Sequence, residues 1–202
     1  MNLFDAGSLA ALTSALATKA DPTMWYITRA AAVSAYILLT LAVDVGIMRS
    51  LARQLGERVS WIVDEIHQFI ALLAGAFVVL HLATLLLDPF IHFSVSNLVI
   101  PLAEPYKPLG TDIGVLALYG MAVVLVSSWL RQRISYGFWR ALHYTGFVVF
   151  ALVTIHGLLA GSDASMPWMR AIYTGATVSV IFMTAMRILL KPGTAGTNEA
   201  RT

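Results

Sequence analysis

Four histidines lie inside long apolar runs of this chain. His67 and His81, fourteen residues apart, fall in the run 66–87; His143 and His156, thirteen apart, fall in the run 139–160. If each run is a helix, a rise of about 1.5 Å per residue separates the members of a pair by about 20 Å, roughly two-thirds of a hydrocarbon core about 30 Å thick. Each helix then offers one imidazole to each half of a bilayer. Two such helices side by side present two facing imidazole pairs at two depths, as two stacked six-coordinate haems require. An imidazole in hydrocarbon is costly without partners, so each of the four is a functional candidate. Bonding to a neighbouring helix would explain any one of them, but it explains two matched pairs less well. A zinc site wants four ligands converging at about 2 Å, whereas these form two distant pairs.

The elements that must hold these residues follow from composition. Of 202 residues, 58% are apolar and 12% charged, with a mean hydropathy of +0.77. Soluble proteins average about 25% charged residues. The expected class is therefore an all-α integral membrane bundle. A net charge of +2 is too weak to suggest nucleic acid. The absence of cysteine excludes disulfides, iron–sulfur clusters, thiolate haem ligation and c-type attachment. Any haem is thus non-covalent and held by His or Met.

Five stretches have the roughly 20 residues that a crossing needs: 24–48, 66–87, 111–130, 139–160 and 168–190. Arg49, Arg53 and Arg58 follow the first, Arg131, Arg133 and Arg140 the third, and Arg187, Lys191 and Arg201 lie at the C-terminal end, while the other two connections are poor in basic residues. The positive-inside rule then places the N-terminus outside and the C-terminus in the cytoplasm, as expected for a multi-pass protein of a prokaryotic plasma membrane. Residues 1–23 read as an arm or interfacial helix, 24–190 as the membrane domain, and 191–202 as a disordered cytoplasmic tail. The outer connection 88–110 carries Pro89, Pro101, Pro105 and Pro108, so it is expected to be helical only in part and to cap the bundle.

At 100° per residue, fourteen positions return to within about 40° of one helix face, but thirteen leave the second ligand about 140° away. Either the fourth span is distorted, with Gly146 and Gly157 available to absorb the change, or the two haem planes are rotated. Further candidates carry structural alternatives. Arg29 could pair with a carboxylate of the outer haem, or snorkel. Arg140 could do the same at the inner haem, although topology alone explains it. Phe77, Phe147 and Phe150 lie between the ligand depths, where packing also explains them. His92 reads as a surface residue of the outer connection, and Asp44 as a helix-end group solvated or in contact with Arg49. Trp25, Tyr26, Trp129, Trp139 and Trp168 fall near span ends, as an aromatic belt would.

His-X13-His on one helix and His-X12-His on another resembles the ferric reductase-like transmembrane domain of iron reductases and NADPH oxidases. The stretch 131–143, Arg-Gln-Arg-Ile-Ser-Tyr-Gly-Phe-Trp-Arg-Ala-Leu-His, resembles the family's basic loop leading into its second haem helix. Arg29 resembles an arginine near the outer haem of the oxidases. The resemblance implies electron transfer from an inner haem, axially held by His67 and His143, to an outer haem held by His81 and His156, and on to an acceptor at the outer face. Oxidases and eukaryotic reductases carry a flavin and nicotinamide domain after the last span; here eleven residues follow Lys191, and the sequence has no Gly-x-Gly-x-x-Gly motif. The expected donor is therefore a separate flavoprotein, bringing FAD or FMN, or membrane quinol. The acceptor is a ferric chelate or a periplasmic oxidoreductase, as in the bacterial haem subunits that serve a methionine sulfoxide reductase. Whether the chain is an enzyme in its own right stays open. A reading from another class, a membrane scaffold or transporter using its histidines for packing or proton relay, also stays open at this point.

Overall fold

A computed structural model describes residues 22–88, 93–103 and 107–190. The arm up to Asp21, the tail from Lys191 and His92 lie outside the described residues. Among the described residues all regular structure is helical: α1 (Thr23–Ala52), α2 (Glu57–Leu87), α3 (Val95–Val99), α4 (Pro108–Trp129), α5 (Tyr136–Ala160) and α6 (Pro167–Leu189). Five of these, all but α3, are long and apolar enough to cross a membrane. The expected number of spans is therefore met.

The boundaries follow local chemistry. Pro108 and Pro167 occupy first-turn positions of α4 and α6, where a missing N–H costs nothing. Ser135 caps α5, its hydroxyl accepting from Phe138 N. Gly56 separates α1 from α2 at φ 112°, a conformation that glycine adopts without steric penalty. Helix α2 begins nine residues before the apolar run does, because Glu57, Arg58 and Glu65 are good helix formers whose charge hydropathy counts against a span. That charged first part is tied to α1 by Arg49, whose Nε donates to Asp64 Oδ1 at 2.5 Å. Asp44 therefore does not pair with Arg49; its Oδ1 is buried without a partner.

Helix α1 packs along α2, α4 along α5, and α6 against α1. A core of Tyr36, Ile47, Phe150, Met169, Tyr173, Ala176 and Val180 joins α1, α5 and α6. Outward-facing Phe69, Leu72, Val79, Val123, Val148 and Phe182 remain exposed on the protein, as they must where lipid is the solvent. The two histidine helices, α2 and α5, do not pack closely on each other. Between the two halves of the bundle, at the end where α1 begins, lies a cavity of about 230 Å³ lined by residues of all six helices. The described part of the long connection closes over it: Phe93 and Leu98 are buried, and both line the cavity with Asn97. Helix α3, held by a capping box between Ser94 and Asn97, is the helical portion of that cap.

Candidate functional site

The four histidines form two pairs at opposite ends of the bundle. His67 of α2 and His143 of α5 meet near the end rich in arginine, with ring centres 5.8 Å apart and planes at 73°. That separation is close to what two imidazoles need on either side of one metal ion: about 2 Å for each metal–nitrogen bond and about 1 Å more to each ring centre. His81 and His156 both line the cavity at the other end. All four are half-buried.

Each ring is fixed through Nδ1 by a neighbouring helix. His67 Nδ1–H donates to the Ala42 carbonyl of α1 at 2.9 Å, and His81 Nδ1–H to the Thr28 carbonyl of α1 at 3.1 Å. His156 Nδ1–H donates to the Gly110 carbonyl of α4 at 2.7 Å. A carbonyl can only accept, so the proton in these three sits on Nδ1 and the lone pair of the neutral ring is left at Nε2. A metal-binding histidine is oriented in this way, with its second nitrogen tied to backbone. His143 Nδ1 lies 3.4 Å from Ser128 Oγ of α4, a longer contact, and its ring stacks on Trp139 at 5.0 Å and 25°. Arg131 in turn lies over Trp139, 4.8 Å from the ring centre.

Two glycines let the neighbouring helices come this close. A Cβ at Gly46 would stand 3.0 Å from the His67 ring, and one at Gly114 would stand 2.6 Å from His156 Nδ1. A Cβ at Gly110, one turn before Gly114, would stand 3.0 Å from the Ala160 backbone nitrogen, so Gly110-x-x-x-Gly114 is the close-packing stripe of α4 on α5. Helix α5 runs unbroken from Tyr136 to Ala160. Gly157 provides space for the Tyr173 hydroxyl, and a Cβ at Gly146 meets nothing within 4 Å; the thirteen-residue spacing leaves α5 without a break.

Around His81, Thr28 Oγ1–H donates to Thr84 Oγ1 at 2.8 Å, and Thr84 also bonds the Leu80 carbonyl at 2.9 Å. Arg29 lines the same cavity. Its Nε donates to Asp163 Oδ2 at 2.7 Å and its Nη2 donates to Asp163 Oδ1. Arg140 is exposed, and its Nε donates to the Tyr144 hydroxyl at 3.1 Å. Phe150 is buried and stacks on Tyr36 at 6.1 Å, Phe77 is half-buried, and Phe147 faces outward. No three of the described His, Asp or Glu residues converge.

The family described as "ferric reductase like transmembrane component" matches residues 28–154, more than half of the chain. The chain belongs to the ferric reductase-like transmembrane family. No curated protein and no solved structure matches it. As a member, it is a multi-pass membrane protein and a membrane electron-transfer component of a kind that generally binds haem. The match contains Arg29, His67, His81 and His143 and stops two residues before His156. His156 nevertheless shares the cavity with His81 and has the same Nδ1 anchoring. The residues present fit a haem in three respects: paired rings, three of which are anchored so that Nε2 is free, a gap between the two histidine helices, and a mainly apolar cavity with Arg29 among its polar residues. Sequence reading missed Ser128, Gly46, Gly114, Tyr173 and Asp163. Two signals were available: the Gly-x-x-x-Gly spacing, and the position of Trp139 one helical turn before His143.

Proposed function

We propose that this ferric reductase-like chain carries electrons across a prokaryotic cytoplasmic membrane through two b-type haems, from a cytoplasmic flavoprotein or quinol to an acceptor at the outer face. His67 and His143 hold the inner haem, and His81 and His156 the outer. Haem supplies one-electron chemistry at a potential set by its ligands and surroundings. The chain's part is to fix four imidazoles at two depths, exclude water from them and place cations at the two ends. Arg29 takes a carboxylate of the outer haem. Arg140, at the depth of the basic loops, takes one of the inner haem. The basic connections put the N-terminus outside and the inner pair on the cytoplasmic side. A ferric chelate or a periplasmic oxidoreductase such as a methionine sulfoxide reductase receives the electron at the outer face.

The observation that carries this reading is the anchoring of His67, His81 and His156 through Nδ1 to backbone carbonyls, which leaves Nε2 for a metal. Histidines used for packing or for relaying protons have no need of a shared free nitrogen. The test is vectorial. Haem-loaded protein is reconstituted in liposomes with ferricyanide trapped inside and dithionite added outside. The proposal expects ferricyanide reduction that is lost in His81→Ala and His67→Ala. Equal rates in protein-free liposomes, or in both variants, would refute it.

A further inference from the structure

Arg29 is held on several sides. Its Nε and Nη2 both point at Asp163, and its guanidinium lies 5.9 Å from the Trp25 ring centre and 5.8 Å from that of Tyr26. Asp163 is 9% exposed, lies in the turn between α5 and α6, and lines the cavity with His81, His156 and Arg29. A guanidinium has five N–H donors in a rigid fork. Side-on pairing uses the Nε edge and leaves Nη1, which has no hydrogen-bond partner among the described residues. The pair therefore orients one cation without using up its donors. Asp163 also adds a carboxylate to the wall of a largely apolar cavity, where charge is felt strongly because little water screens it.

On the haem reading above, we infer that Asp163 is the positioning residue of the outer site: it fixes Arg29 side-on so that the Nη1 edge meets a haem carboxylate, and its charge helps set the outer potential. Asp163 lies in the α5–α6 turn, beyond the family match. Reduction adds negative charge, so a carboxylate near the haem opposes it and lowers the potential. Replacing Asp163 by a neutral isostere raises that potential and leaves the inner one, at the far end of the bundle, almost unmoved. If Asp163 only strapped the turn to α1, its loss would lower thermal stability without a signed shift at one haem.

The test is potentiometric titration of the full, haem-loaded chain in nanodiscs, following the reduced α bands. Asp163→Asn should raise the outer potential only, Arg29→Gln should lower it, and Asp163→Glu should restore the wild-type value. Loss of the outer haem from Asp163→Asn with retention in Asp163→Glu also supports the inference, since the carboxylate is what the second variant keeps. An unmoved outer potential with both haems bound, equal shifts at both, or outer-haem loss shared by the Asn and Glu variants would overturn it. A wild-type chain that binds no haem would overturn the reading beneath it, and this shows before any variant is made.

Discussion

The His156 ring rests against a residue that has no side chain: a Cβ at Gly114 would stand 2.6 Å from its Nδ1. The same nitrogen donates to Gly110 one turn earlier on α4, so the contact that crowds the ring and the bond that orients it come from one helix face. Gly114→Ala should push His156 out of register at a cost of about 1–3 kcal/mol, the usual range for overpacking. Haem content and the reduced spectrum should show loss confined to the outer site. Gly46→Ala, where the approach to His67 is 3.0 Å, should have a smaller effect, at the inner site. Loss at both sites in either variant would separate the glycines from the histidines they face.

The pairing across α2 and α5 predicts selective loss. His67→Ala should remove the inner haem and leave the outer at least partly bound, and His81→Ala the reverse. Haem stoichiometry with low-temperature α-band spectra of each variant distinguishes the two. Equal loss of both haems on every single substitution would contradict the pairing.

Arg29 lines the cavity that holds His81 and His156, far along the bundle from His67 and His143. Arg29→Ala should therefore lower the outer potential more than the inner. A titration in which only the inner potential moved would remove Arg29 from the outer site.

Thr28 and Thr84 join α1 to α2 beside His81 through one hydroxyl–hydroxyl bond of 2.8 Å. Thr84 retains its bond to the Leu80 carbonyl when that partner is lost, and the Thr28 carbonyl that fixes His81 belongs to the backbone. Thr28→Val should thus cost only about 0.6 kcal/mol, the average for hydrogen bonds between membrane helices. The expected readout is a slightly lower melting temperature with haem content unchanged. A large haem loss would mean that the hydroxyl, and not the carbonyl, orients the ring.

What could be read from sequence was what repeats along one helix. The five spans follow from apolar length, and the histidine pairs from spacing within 66–87 and 139–160. Hydropathy placed the start of α2 too late, because the charges of Glu57, Arg58, Asp64 and Glu65 break up the apolar residues Val59, Trp61, Ile62 and Val63 that lie among them. Pairs made across the fold gave none either. Arg29 and Asp163 are 134 residues apart, and neither sequence neighbourhood names the other. Asp44 illustrates the converse: Arg49 lies nearby in the chain, yet it turns to Asp64 across the tight turn at Gly56. The ring anchors of His67, His81 and His156 are backbone carbonyls, which carry no residue-type signature at all.

The central claim is that the four histidines hold two haems, and the pyridine haemochrome of the purified chain set against protein concentration tests it most directly. The account predicts close to two b haems per chain, with a sharp α band in the reduced-minus-oxidised spectrum. No haem on protein from cells supplied with it would contradict the account and return the histidines to helix packing.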